Sequence, residues 1–426
     1  MNSMFRQILR SLWEGLWFVP GLITMASLVV ALVMTGLAGM EWYSPDTELV
    51  FDPAAAGGVM TALAAGSITV AAVVFSITMV VLSSASAQFG PRLLPNFMRK
   101  TGSKLAIGGF VGSFAYQIVV AAALATGRHV PDAAVWFGVI GGLAAFVILL
   151  AFIHMVSRFI QVPYIIQEVT SDLHEAFDSF CMSCPNSRVG ETVASPVDLR
   201  KVGEIRSKAE GYVQLIDTDC LLEFAKSKDL LIRCEHRAGD FVYEGDVLVS
   251  LHATSDLSDE LPTGAFALGS ERTAQQDVEF AIRQLVEIAA KALSPGINDP
   301  YTAINVIERL GGAVSRIVSS HLHAGLWYDE HGRLRLVIPT PDSMGLLDAA
   351  YHPLRQHARG NESVMIALVE SYLRLAGCDP HPDFAVALRH HAKLIAEDLE
   401  MVEMNPKDRS DFQERHQKIL DLLERD

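Results

Sequence analysis

Four stretches of the chain, residues 16–40, 57–87, 105–126 and 134–156, contain no Asp, Glu, Lys or Arg. A helix needs about 20 mainly apolar residues to cross a bilayer, so this pattern predicts four transmembrane helices. Beyond residue 158 the pattern changes. Val278, Ala281, Ile282, Leu285, Ile288, Ala289 and Ala292 share one stripe of residues 272–293, with Glu279, Arg283, Glu287 and Lys291 opposite, the spacing of an amphipathic helix. A second such run carries Ala303, Ile304, Ile307, Leu310, Val314 and Ile317. Between the two lies "KALSPGINDPYTAINVI", residues 291–307, the expected corner of a helix hairpin.

Other segments read as strands and further helices. Residues 211–251 are β-rich, with glycine-marked turns at 238–240 and 244–246, and residues 326–338 predict a β-hairpin turning at His331-Gly332. Three or four helices are expected after it, at about 343–357, 362–375, 383–404 and 410–425. A helical pattern over residues 157–179 follows the fourth span, with Pro163 expected to kink it. The chain divides accordingly into a four-helix transmembrane domain (1–158), a helical connector with a β-rich module (159–260) and a mainly helical domain (261–426).

Composition and charge sharpen that division. Half of the 426 residues are apolar and the mean hydropathy is +0.28, with the excess in the first 160 residues. Residues 1–158 hold 8 basic and 6 acidic residues, whereas the remainder hold 26 and 43. So acidic a second half argues against nucleic acid as a partner, because a phosphate backbone requires a clustered basic face.

Short-loop Lys and Arg set the orientation of membrane helices. Arg6, Arg10, Arg92, Arg99, Lys100, Lys104 and Arg158 fall on one side and only Arg128 on the other, where Glu41, Asp46, Glu48 and Asp52 crowd the first loop. Both termini are therefore expected in the cytoplasm. The first apolar run exceeds the roughly 7–15 residues of a signal-peptide core and reads as an uncleaved anchor. Trp13, Trp17, Trp42, Tyr43 and Trp136 lie near span ends, where amphipathic rings sit best. All five cysteines fall on the expected cytoplasmic side, and Cys181 and Cys184 form a single CxxC, a weak metal or redox signal without a second pair.

Candidate chemistry within the spans is limited to small and hydroxyl residues. Ala62 with Gly66, Gly108 with Gly112 and Gly138 with Gly142 are spaced to let helix backbones approach closely, within or between subunits. Thr69, Ser76 and Ser83 recur at steps of seven and so share one helix face. Two readings compete for them: bonds to their own helix or a neighbour, or the lining of a water-filled path. With no charge inside the spans, a proton relay or charge-coupled pump is disfavoured. Tyr116 and Gln117 are deeper polar groups expected to bond between helices, while His154 lies about a turn from Arg158 and the interface.

The corner at 291–307 has a local explanation. Ser294, Pro295 and Gly296 stop one helix, Asn298 tolerates a left-handed backbone, Asp299 caps the next helix and Pro300 takes its first position. The exposed Asn298 and Tyr301 leave two readings open, a purely structural corner or a contact with another subunit. A phosphate at that helix start is the alternative, but the Asp299 carboxylate would repel it. The other acids in helical patterning, Asp277 and Glu279, need no catalytic role. The histidines (His321, His323, His352, His357, His381, His390, His391) form no HExxH or similar pattern and read as ordinary surface or core residues.

Two resemblances add to this. Residues 238–248, Ala-Gly-Asp-Phe-Val-Tyr-Glu-Gly-Asp-Val-Leu, look like one half of the barrel-sandwich modules of biotinyl and lipoyl carriers and membrane-fusion adaptors. No Met-Lys-Met accompanies it, and Lys226 and Lys228 lie in "FAKSKD", which reads as a short helix, so no cofactor is expected there. Over nearly the whole chain, "FVP" (18–20), "GSITVAAVVFSITMVVLSSASAQFGPRLLPNFM" (66–98), "GYVQ" (211–214), "GDFV" (239–242) and "ALSPGINDPYTA" (292–303) resemble the bacterial predicted membrane proteins of domain of unknown function 2254. That resemblance implies a four-span bacterial membrane protein with a cytoplasmic domain and brings no activity.

The expected fold class is thus an α-helical membrane protein with four transmembrane helices plus a mixed α+β cytoplasmic domain holding a small barrel-sandwich-like module and helix hairpins. The expected function is a homo-oligomeric channel or passive pore for an ion or small solute, with a cytoplasmic regulatory domain. The alternative is a non-enzymatic scaffold or sensor that binds a partner or ligand through that domain. No enzyme activity, metal or cofactor is expected, and the lipid bilayer and further copies of the chain are the expected partners.

Overall fold

A computed structural model describes residues 15, 17–36, 52–90, 101–128, 130–159, 161–182, 199–254 and 264–424. Arg6, Arg10, Arg92, Arg99, Lys100, Trp13, Trp42, Tyr43, Glu41, Asp46, Glu48 and Cys184 lie outside them. The chain forms two compact units that part between Gln161 and Val162.

The first unit contains helices α1 (Phe18–Met34), α2 (Pro53–Phe89), α3 (Thr101–Ala125) and α4 (Asp132–Phe159). Helices α2, α3 and α4 are each long and apolar enough to cross a membrane; α1 is apolar but shorter, at 17 residues. It stops before the expected end of the first span because Gly36 turns into the left-handed region (φ 67°), which terminates the helix, and residues 37–51 lie outside the described part. Asp52 starts α2 by accepting a hydrogen bond from the Ala55 amide at 3.1 Å, with Pro53 at the first position. At 37 residues α2 is about 55 Å long, far beyond the roughly 30 Å hydrocarbon layer. Helix α3 is the centre of the unit and packs against the other three.

Small residues explain how closely these helices sit. Gly108 and Gly112 of α3 face Pro20, Ile23 and Ser27 of α1, and a Cβ at either glycine would collide with them. Gly138 and Gly142 of α4 meet Met60 and Leu63 of α2 and Tyr116 and Gln117 of α3. In lipid the hydrophobic effect does not drive helices together, so such close packing supplies the attraction.

The second unit begins with α5 (Val162–Met182). Pro163 lies in the first turn of this separate helix instead of kinking a continuous one, since its missing N–H is not needed there. Strands β1 (Arg200–Arg206), β2 (Gly211–Ile216), β3 (Leu231–Cys234), β4 (Phe241–Val242), β5 (Val247–Ala253) and β6 (Phe266–Gly269) follow, with α6 (Thr218–Ser227) between β2 and β3. Helix α6 takes in only the first four residues of "FAKSKD", ending at Ser227 with Lys228 as its C-cap, and Asp217 caps its start through the Cys220 amide at 3.0 Å. Beyond lie α7 (Val278–Ala292), α8 (Pro300–Val314), β7 (Leu326–Tyr328), β8 (Leu334–Val337), α9 (Ser343–Ala358), α10 (Glu362–Ala376), α11 (Pro382–Glu400) and α12 (Pro406–Leu423).

The strands form two sheets, one of five in the order β1-β5-β3-β8-β7 and one of three in the order β4-β2-β6. All neighbours are antiparallel except β3 and β8, which pair in parallel with Ile232 opposite Leu336. The five-stranded sheet therefore crosses the boundary expected at residue 260: the hairpin at 326–337 completes it, burying Ile232, Val249 and Leu336 in one core with Leu221 of α6. The helical part buries Leu285, Ile307, Tyr351, Leu368, Tyr372 and Phe384. A polar core links α9, α10 and α11. Tyr351 Oη and Ser371 Oγ share a hydrogen bond at 2.9 Å, and Asp398 pairs with Arg355 and, at 2.6 Å, with Arg359. His391 is fully buried beside Asp348 at 3.1 Å, and burial pushes its pKa down to about 4.

Candidate functional site

The hydroxyl stripe occupies the outer face of α2. Thr69, Ser76 and Ser83 are all exposed, as are Ala62 and Gly66, and Val73 and Val80 complete the row. The Thr69 hydroxyl donates to its own helix at the Ala65 carbonyl, at 2.7 Å, which leaves its lone pairs outward. Among the described residues the stripe lines no path within one copy. A Cβ placed on Gly66 meets nothing within 4 Å. Of the three small-residue pairs, the two on α3 and α4 are thus packed inside the unit and the one on α2 is turned out.

Inside the unit a polar node joins three helices. Gln117 is 0% exposed; its Oε1 accepts from Ser67 Oγ at 3.0 Å and its Nε2 donates to the Gly138 carbonyl at 3.1 Å. Tyr116 Oη donates to the Ala134 carbonyl at 2.8 Å, at the start of α4. Each unpaired polar group in hydrocarbon would cost several kcal/mol by transfer estimates, about 4–8 to an alkane, so pairing satisfies these side chains and fixes the register of α2, α3 and α4. Ser67 was one hydroxyl among many in the sequence, and only its packing beside Gln117 sets it apart.

The corner of the α7–α8 hairpin follows its local chemistry. The Ser294 hydroxyl donates to the Lys291 carbonyl at 2.6 Å, the Ser294 carbonyl accepts the Asn298 amide at 2.9 Å, and Asn298 is left-handed (φ 50°). Asp299 caps α8 with both oxygens, accepting from the Thr302 amide at 3.1 Å and the Thr302 hydroxyl at 2.6 Å. These bonds, the hydroxyl's first, hold the Asp299 carboxyl below the usual carboxylate range. Pro300 is the first helical residue. Around the corner Pro295, Gly296, Ile297 and Asn298 are exposed, and Tyr301 is 82% exposed.

The remaining candidate acids are held by cations. Asp277 caps α7 through the Phe280 amide at 3.0 Å and receives Arg272 at 2.7 Å (Nε) and 2.6 Å (Nη2). Its burial nevertheless pushes its carboxyl above the usual range. Gly239 makes room for it: the backbone there is left-handed (φ 94°), and a Cβ would strike the Asp277 carboxylate. Glu279 accepts from Arg237 at 2.7 Å, with Arg283 at 3.7 Å. The Gly239 turn and the start of α7 are therefore one ion-paired joint.

Among the described residues, one group of metal-ligating side chains has its donor atoms within 4.8 Å of one another, namely His321, His381 and Asp383. Cys181 is exposed and burial of its sulfur raises its thiol pKa, while Cys184 falls outside the described part.

Apolar membrane-length helices followed by a sheet-containing unit define a multi-helix membrane protein with a large C-terminal domain. The chain belongs to the family of predicted membrane proteins designated DUF2254, whose model matches residues 13–373. Among its relatives are uncharacterized proteins of Mycobacterium tuberculosis and Mycobacterium bovis, each 29% identical over 355 residues, covering 80% of this chain and 68% of the relative. No solved structure matches the chain.

Proposed function

We propose that the chain is the subunit of a homo-oligomeric passive pore for an ion or small solute in a bacterial inner membrane. Four spans, with α1 as the fourth, leave both termini on one side of the membrane; the Lys and Arg of the short loops favour the cytoplasm for that side and for the C-terminal unit, which regulates the pore without catalysing a reaction. The 17 residues of α1 fall at the lower end of the roughly 17–25 that suffice for a crossing.

The observation that carries this reading is the outer face of α2, where Ala62, Gly66, Thr69, Ser76 and Ser83 are exposed on a helix of membrane length. A face this small and hydroxylated is suited to close approach by another copy. Around a shared axis, the hydroxyls supply polar lining without an intramembrane charge. The test is solute and ion flux in liposomes reconstituted with the purified protein. Flux should be present for the native chain and at least about tenfold lower for Thr69→Leu with Ser76→Leu, on the expectation that bulky apolar lining gates by dewetting. Equal flux in the variant would remove α2 from the lining.

A scaffold or sensor is the second reading, favoured by exposed aromatics on the C-terminal unit. Tyr301 and Ile297 stand out at the hairpin corner, and exposed Phe241 and Tyr243 extend an edge-to-face ladder from half-buried Tyr212, with centroids 5.0 and 5.5 Å apart. Exposed aromatic clusters are common anchors for partners. Absence of flux together with a partner lost on Tyr301→Ala or Phe241→Ala favours this reading over the pore.

A further inference from the structure

His321 and His381 are sixty positions apart in sequence, yet His321 Nδ1 lies 3.3 Å from His381 Nε2. Both are held by the fold. The His381 amide donates to the Val318 carbonyl at 2.9 Å, tying the segment after α8 to the start of α11. His381 is also the N-cap of α11, followed by Pro382 at the first position. An oxygen of Asp383, in the first turn, stands 3.4 Å from His381 Nδ1.

Two imidazole nitrogens this close either share one proton or share one cation. Ligand nitrogens at about 2.0–2.1 Å from a tetrahedral zinc ion are separated by about 3.3–3.4 Å, which matches the spacing here. The same His381 Nδ1 is 3.4 Å from the Asp383 amide, a contact that needs a lone pair on Nδ1. With a metal on Nε2, Nδ1 carries the proton and turns to the carboxylate instead, the arrangement in which a carboxylate orients a metal-bound histidine. A carboxylate in the first turn also offsets the positive end of the helix dipole, which alone would disfavour a cation there.

We propose that His321, His381 and Asp383 form a binding site for a divalent transition-metal ion of the zinc class. His321 Nδ1 and His381 Nε2 are the ligands, Asp383 is the supporting carboxylate, and water completes the shell. Imidazole ligands select zinc, nickel or cobalt over the oxygen-seeking magnesium and calcium. His321 and Asp383 are exposed, so the ion enters from solvent. Once bound, it pins the segment following α8 to the first turn of α11. All three residues belong to the C-terminal unit.

The experiment is a calorimetric zinc chloride titration of the full chain in detergent, without an affinity tag and after stripping with chelator. The expected result is one saturable equivalent per chain. His321→Ala and His381→Asn should abolish it, the asparagine retaining an N-cap residue so that α11 still starts. Asp383→Asn should weaken it about 10- to 100-fold, as loss of a supporting carboxylate does. His331→Ala, an exposed histidine in the β7–β8 turn, should bind as the native chain does. Circular dichroism on each variant separates lost binding from lost folding. A folded native chain without saturable binding overturns the proposal, as does an equivalent that persists in the folded His321→Ala, His381→Asn double variant.

Discussion

Helices α2 and α4 both turn a face away from the rest of the membrane unit, and the two faces differ in kind. That of α4 carries Phe137, Ile140, Leu143, Phe146, Val147 and Leu150, each more than half exposed. That of α2 carries Ala62, Gly66, Thr69, Ser76 and Ser83, with valines as its largest members in that row. Lipid tails are as apolar as leucine, so burying either face gains little from the hydrophobic effect. Close packing and hydrogen bonding are what remain, and only the small face offers both. The contrast teaches which side of the unit suits lipid and which suits another copy of the chain.

The largest expected effect breaks the comparison at its centre. Ala62→Leu with Gly66→Leu should convert an oligomer to monomers, whereas Leu143→Ala with Leu150→Ala on α4 should leave assembly unchanged. Native mass spectrometry of detergent-released protein reads the difference. An oligomer that survives the α2 pair, or is lost with the α4 pair, reverses the assignment of the two faces.

A second effect compares two glycines that look equivalent along the chain. Gly112 faces Ser27 and Ile23 of α1, so Gly112→Leu should overpack that contact and cost about 1–3 kcal/mol. Gly66→Leu meets open space within one copy and should leave the unfolding of the monomer unaltered. Thermal unfolding in detergent, at protein concentrations where the chain is monomeric, distinguishes them. Equal destabilisation by both would mean that Gly66 is already packed within the unit.

These glycines also mark where reading the sequence stops. Three pairs at a spacing of four could be found, but which pair is turned outward depends on neighbours far away in the chain. The step of seven likewise placed Thr69, Ser76 and Ser83 on one face and left its direction open. The 291–307 corner was legible in detail because capping and turn chemistry act within a few residues: Asn298, Asp299 and Pro300 each take the expected local role. The strand pairing of β3 with β8 was not, since Ile232 and Leu336 meet only through the tertiary fold. His321 and His381 read as ordinary histidines for the same reason: no short motif joins them, and only the fold brings their rings together.

A third test uses water access. Ser76→Cys should react with a polar maleimide in proteoliposomes if the α2 face borders an aqueous axis, while Leu143→Cys, facing lipid, should be protected. The five native cysteines all lie after residue 180, so each signal is read above their background. Protection of both positions would keep the α2 face as an interface and deny it water. Reaction at both would mean that α4 also lines a wet surface.

The smallest expected effect separates inward from outward hydroxyls on one helix. Ser67 and Thr69 are two positions apart, but Ser67 Oγ donates to buried Gln117 whereas Thr69 satisfies its hydrogen on its own Ala65 carbonyl. Ser67→Ala removes an interhelical bond and leaves one lone-pair direction of Gln117 Oε1 without its donor. In membranes such bonds contribute about 0.6 kcal/mol on average and up to roughly 1.7. Thr69→Val keeps the shape and removes a bond that ties the side chain only to its own turn, so the fold should lose no more than a few tenths of a kcal/mol. Unfolding midpoints in detergent for the two variants give the comparison. If Thr69→Val costs as much as Ser67→Ala, the outward hydroxyl is already committed to packing, and the open face of α2 is correspondingly smaller.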